Sequence, residues 1–295
     1  MAQQLVNGLT LGVVYALIGM GFSMVWATAR TMNFAYGATY TLGAYLLYVV
    51  FSKWLGTDTL QLLPLLLAFA VTAVVGVALG YGMDRAIFRP LRENELAPFF
   101  ASLGVAIALE NLYTVVFGGR PSTIAASAST AYYDVGSVRI TTAQVIVLVA
   151  SLALMVGLQT VVSRTSLGRA MRATAWSRST ARLMGIDPDR VIAVVFIVAT
   201  VLAMWAGLFV ALFYGTATPY MGSEVLIKGL AAAILGGFGY LPGAIAGGLL
   251  VGLLEAVGAQ LTTSGNWPDV IAYGVLILVI LVRPQGMLSG KGVVT

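Results

Sequence analysis

The 295-residue chain contains no cysteine and no histidine. The first absence excludes disulfides, thiolate nucleophiles and cysteine-ligated metals. The second removes imidazole acid–base chemistry and histidine ligation of zinc or haem. Charge is nearly as scarce: 9% of residues are Asp, Glu, Lys or Arg, against 59% hydrophobic, with a mean hydropathy of +0.94. A soluble domain carries roughly a quarter of its residues as charges, so this chain uses lipid as its solvent. Ten-residue segments of alternating polarity, the mark of a membrane β-barrel, are missing. So is any GxxxxGK[ST] phosphate loop, so that ATP hydrolysis, if used, must come from another polypeptide. No nucleophile–base set and no metal cluster supports catalysis, so the chain is expected not to be an enzyme and to hold no cofactor or metal. The net charge of +5 is not a sign of nucleic-acid binding, because in a membrane protein an Arg/Lys excess marks one face of the bilayer.

What is present is a series of apolar runs of about twenty residues. Nine stand out: 5–28, 33–52, 60–83, 96–118, 141–163, 190–214, 224–239, 241–262 and 268–282. Only helices satisfy their backbone over such runs in hydrocarbon, so the expected fold is all-α, a single polytopic transmembrane bundle over 1–295. The seventh run is short for a full crossing, which leaves eight or nine spans open. The first run reads as a retained span, since MAQQ lacks the basic start of a cleavable signal peptide. Loops 29–32, 83–95, 164–190 and the tail 283–295 collect twelve Lys and Arg, and the opposite loops collect Lys53, Arg120 and Arg139. That bias places the crowded side, and the C-terminus with it, in the cytoplasm.

Glycines four apart, Gly8/Gly12, Gly76/Gly80, Gly239/Gly243, Gly243/Gly247 and Gly248/Gly252, lie within or beside the runs. Small residues let helix backbones approach where lipid supplies no hydrophobic drive. The density around Gly236, Gly237, Gly239, Pro242 and Gly243 reads as a broken helix or a tight turn. The segment GGFGYLPG is not a dinucleotide fingerprint, because that motif needs a βαβ unit. In transporters such interruptions often mark the substrate path.

The longest polar link, 164–190, carries six arginines. RAMRATAW and SRSTARLM read as short amphipathic helices. Gly185 fits a C-terminal stop, Asp187 or Asp189 a cap, and Pro188 a first helical turn. One reading is a basic loop that fixes topology and touches headgroups. The other is a docking element, because topology needs arginines but not the apolar ridge in ARLMGI.

The segment GRAMRATAWSRSTARLMGIDPDRV (168–191) resembles the coupling loop of ABC-importer permeases, specifically the branched-chain amino acid permease subunits. NGLTLGVVYALIGMGFSMVW (7–26), MNFAYGATYTLGAY (32–45), IKGLAAAILGGFGYLPGAIAGGLLVGLLEAVGA (227–259) and LILVILVRPQGML (276–288) resemble the same subunits in the same order. Residues 120–140 carry no resemblance, and Tyr36 stands where the family often has histidine.

The resemblance implies a bacterial inner-membrane permease. It would import branched-chain or other neutral amino acids by alternating access, although related subunits serve urea and short amides. It would pair with a second homologous permease subunit, receive solute from a periplasmic or surface binding protein, and dock two cytoplasmic ATPase subunits that bind the ATP. Ala173 and Gly185 match the landmarks of the family's coupling element, with Arg169, Arg172, Arg178, Arg182 and Leu183 around them. The rival class is an ion-coupled secondary transporter that acts alone.

Ionisable groups inside spans default to functional candidates. Glu110 and Glu255 either line the pathway or pair within the bundle. Lys228 stands four residues after Glu224, where an i,i+4 pair is available. Asn33 and Tyr36, at the edge of the second run, are either pathway groups or a helix cap beside an interfacial aromatic.

Overall fold

The computed structural model describes residues 2–56, 60–92, 94, 96–124, 132–135, 138–261 and, beyond these, 270, 273, 274, 277, 281 and 286. The ninth expected run, 268–282, therefore lies mostly outside the described residues. The helices are α1 (Ala2–Ala29), α2 (Ala35–Tyr48, prolonged by a π turn Val49–Trp54), α3 (Leu62–Met83, prolonged by a π turn Asp84–Phe88 and a last turn Arg89–Leu91) and α4 (Ala97–Phe117). They continue with α5 (Thr142–Arg164), α6 (Ser166–Trp176), α7 (Arg178–Leu183), α8 (Pro188–Tyr214), α9 (Met221–Gly236) and α10 (Leu241–Leu261). Six of them, α1, α3, α4, α5, α8 and α10, are long and apolar enough to cross a membrane.

Burial ranks these helices. The most apolar stretch of α1 is 89% buried and that of α8 72%, against 17% for α4, 22% for α5 and 28% for α3. A helix apolar on every side belongs in the interior, and α1 is that core. It packs against α5, α8, α9 and α10. The outer helices show Leu62, Leu63, Val74, Phe100, Ile107, Val115, Val149 and Val156 to their surroundings, as lipid-facing surfaces do.

Contacts between loops separate into two faces. On one, the Gln3 amide nitrogen donates to the Arg139 carbonyl (3.0 Å) and the Arg139 N–H donates to Gln3 Oε1 (2.8 Å). The stretch that carried no recognisable pattern supplies two small antiparallel pairs here. β1 (Ser122–Thr123) pairs with β4 (Thr216–Ala217), and β2 (Tyr132–Val135) with β3 (Val138–Thr141). Thr141 then caps α5 through a capping box with Gln144. On the other face lie the ends of α1, α3 and α5, the starts of α4 and α8, and the whole of α6 and α7. This second face is the arginine-rich one.

Backbone approach holds the interior together. A Cβ at Gly43 of α2 would clash with the Met204 carbonyl of α8, and one at Gly207 of α8 with the Tyr40 carbonyl of α2. α1 meets α10 in the same way, Gly8 and Gly12 lying against the backbone at Gly252 and at Gly248–Leu249. Gly43→Ala is therefore expected to cost about 1–3 kcal/mol as an overpacking change. Gly157→Ala, where no atom lies within 4 Å, is expected to be neutral or to stabilise by up to about 1 kcal/mol through helix propensity. Melting of the two variants in detergent checks the contrast.

Candidate functional site: a projecting basic hairpin and the polar groups behind it

Local chemistry shapes the arginine-rich link. Thr165 and Ser177 leave the helical backbone, and Ser177 Oγ accepts the Thr180 N–H (3.2 Å), which starts α7. α7 ends in a Schellman motif: the Ile186 N–H reaches the Ala181 carbonyl (3.0 Å) and the Gly185 N–H the Arg182 carbonyl (3.1 Å). Gly185 carries the positive φ of +78° that this stop requires. Asp187 Oδ1 then accepts the N–H groups of Asp189 (3.0 Å) and Arg190 (3.4 Å), with Pro188 in the first turn of α8. Of the two aspartates, Asp187 is the cap.

The resulting helical hairpin has an inner and an outer side. Gly168, Met171 and Thr174 of α6 and Ala181 of α7 face the bundle. Outward stand Arg169, Arg172, Arg182 and Gly185, together with an apolar tip of Trp176, Leu183 and Met184. Leu183 is 87% exposed and Met184 76%, an arrangement costly for apolar side chains in water. Ala173 is half-buried. Arg172 donates to the Val162 carbonyl (3.0 Å), and half-buried Arg178 donates to the Ala29 carbonyl at the end of α1 (2.8 Å). Burial, reinforced by the positive charges of Arg92 and Arg182, lowers the proton affinity of Arg178, and Asp189 opposes that shift. Arg178 therefore anchors the hairpin rather than presenting its charge.

Deeper in the bundle, Lys228 of α9 pairs with a carboxylate on another helix. Its Nζ donates to Glu255 Oε1 of α10 at 2.9 Å, and the Tyr15 hydroxyl of α1 donates to Glu255 Oε2 at 2.8 Å. Lys228 Nζ also lies 5.7 Å from the Tyr15 ring centroid. Three helices are thus tied through one half-buried carboxylate, and pairing across helices offsets the cost of holding these charges away from water. Glu110 of α4 accepts the Ser223 hydroxyl at 2.8 Å. Asn33 Oδ1 accepts the Ala35 N–H (3.0 Å) at the start of α2. Tyr36 is not an interfacial aromatic: it is 1% exposed and packs edge-on against Phe22, with ring centroids 5.3 Å apart. Gly237 and Gly239, with φ of +97° and +85°, make a tight turn between α9, which ends at Gly236, and α10, which holds Pro242 and Gly243 in its first turn. Sequence reading passed over Tyr15, Asp84, Arg92 and Asp189 as interacting groups. An acid near the end of an apolar run, as at Asp84, was the available signal.

A bundle with an apolar core helix, aliphatic outer helices and a projecting basic hairpin defines a polytopic α-helical membrane protein. Residues 4–280 match the family described as branched-chain amino acid transport system / permease component, and the chain belongs to that family. It is 37% identical over 294 residues to the high-affinity branched-chain amino acid transport system permease protein BraD of Pseudomonas aeruginosa, covering 97% of this chain and 95% of the relative. It is 36% identical to LivH of Escherichia coli K12 at the same coverage. It is 25% identical to the permease protein LivM of Salmonella typhimurium, over 95% of this chain and 68% of that one. The solved structure of PsaBC from Streptococcus pneumoniae in complex with Fab shares the fold, with a TM-score of 0.51, 14% identity, and coverage of 96% of this chain and 92% of that chain.

Lys228→Met strands the Glu255 carboxylate and is expected to destabilise by roughly 3–5 kcal/mol. The double variant Lys228→Met/Glu255→Leu should recover most of that loss. Melting of the single and double variants in detergent is the check.

Proposed function

We propose that this permease is the membrane subunit of an ATP-driven importer that moves branched-chain or related neutral amino acids into the cytoplasm. It sits in the bacterial inner membrane with eight or nine crossings and its arginine-rich face and C-terminus in the cytoplasm, as the positive-inside rule requires. It pairs with a second permease, a reading supported by its likeness to LivM as well as LivH. Two ATPase subunits bind and hydrolyse the ATP, and an external binding protein delivers solute.

One observation carries the docking role: an apolar tip of Trp176, Leu183 and Met184 stands exposed on a hairpin ringed by Arg169, Arg172 and Arg182. Lipid headgroups match the arginines but not the tip, whereas a cleft with an apolar floor and acidic rim matches both. When ATP closes the ATPases, the hairpin between Arg164 and Asp187 moves and the bundle passes between outward- and inward-facing states. Glu110, Asn33, Tyr36 and the Lys228–Glu255 pair are the polar groups nearest such a path. The 236–243 turn is the place where α9 and α10 bend against each other.

The native absence of cysteine makes the test clean. Single cysteines at Ala173 and Arg182 are expected to cross-link to the ATPase in the assembled complex, and Leu183→Asp/Met184→Asp to reduce ATPase co-purification about tenfold or more. No cross-link from either position, with full co-purification of the aspartate variant, would overturn the docking role. Uptake in liposomes by this chain alone, driven by an ion gradient, would overturn the importer reading.

A further inference from the structure

Beneath the hairpin, α3 and α8 meet on one guanidinium. Arg92, directly after α3, donates to Asp84 in the π turn of α3 and to Asp189 in the first turn of α8. The side chains of Arg92 and Asp84 are 8% and 3% exposed. Asp189 also faces Arg182 of α7 at 3.5 Å and Arg89 at 3.6 Å. An arginine that merely sets topology stands among headgroups, whereas Arg92 is withdrawn from them and committed to two carboxylates. Burying these charges is costly unless their geometry is held. The planar fork of arginine fixes the direction of both partners, which lysine cannot do.

The cluster lies where the Schellman stop and the Asp187 cap turn the hairpin into α8, so α7, the first turn of α8 and the end of α3 are bonded as a unit. Past it, α3 and α8 stay close. The Phe88 and Phe196 ring centroids are 4.5 Å apart. A Cβ at Gly80 would lie 2.7 Å from Ile197 Cα, and one at Gly76 2.8 Å from Val201 Cγ2. The mutual approach of Gly43 and Gly207 then joins α8 to α2. Close-packed interiors transmit strain, and this contact line runs from the first turn of α8, next to the hairpin, to the middle of the bundle.

We propose that Arg92, with Asp84 and Asp189, is the joint that delivers hairpin displacement to α3 and α8, a positioning role in transport. It rests on the docking role given to the hairpin above. A joint stays closed through the cycle, and a gate must open, which makes the two separable.

The experiment uses the complete importer, permease with ATPases and binding protein, in liposomes, reading ATP hydrolysis and solute uptake together. Arg92→Met is expected to keep ATPase assembly and hydrolysis while solute moved per ATP falls about tenfold, with Arg92→Lys intermediate. Cysteines at positions 92 and 189 joined by a short bis-maleimide are expected to restore the ratio, because only the link is needed. Three results would overturn the joint: an unchanged ratio in Arg92→Met; melting temperature, hydrolysis and uptake falling in parallel, as for a merely stabilising ion cluster; or a tethered pair that cannot transport, as for a gate. Failure of the docking role shows separately, as ATPase assembly indifferent to the Leu183 and Met184 variants.

Discussion

In lipid, helices gain nothing from hiding apolar surface, so the fold depends on backbones coming close enough for dispersion contacts. Among the described residues, the closest helix–helix interfaces meet that constraint with small residues. α1 accepts α10 along Gly8 and Gly12, and α8 accepts α2 at Gly43 and Gly207 and α3 at Gly76 and Gly80. The outer helices, with little to press against, carry the long aliphatic side chains. Close approach therefore decides which helices form the core, and it also makes the core stiff.

A stiff core gives the polar groups their meaning. Charges are sorted by depth: arginines crowd one face, one Lys–Glu–Tyr trio sits inside, and a second polar cluster of Gln3, Asn7 and Gln144 ties the opposite face. The interior trio binds α1, α9 and α10 together, and the Arg92 cluster binds α3, α7 and α8. Each set pairs its charges across helices around a buried cation, Lys228 in one and Arg92 in the other. The hairpin differs from both. It spends Arg178 on holding itself to α1 and leaves Leu183 and Met184 uncovered.

What the sequence disclosed follows the range of the forces involved. Eight of the expected apolar runs coincide with α1–α5 and α8–α10 because composition alone sets them, and the start of α5 at Thr141–Thr142 agrees to a residue. The turn at Gly185 and the cap at Asp187 were legible because their partners lie within five residues. Pairing over distance was not. Lys228 and Glu255 are 27 positions apart, and Arg92 and Asp189 are 97, so nothing local announces either. Tyr36, at the polar edge of its run, was open to an interfacial reading, yet it lies inside against Phe22 of α1. The β1–β4 pair joins residues with no shared periodicity, which is why 120–140 read as featureless.

The central claim is that hairpin and α8 move as one piece when the partner ATPases close. Spin labels at exposed Ser179 on α7 and at Tyr214, the far end of α8, report this in the assembled complex. A third label at Val115 on the loosely held α4 gives the reference. The account predicts that the 179–214 distance holds within about 2 Å between nucleotide-free and ATP-bound states, while the 179–115 distance changes by more than that. A 179–214 distance that shifts by about a helical turn, roughly 5 Å, while 179–115 stays fixed would contradict it.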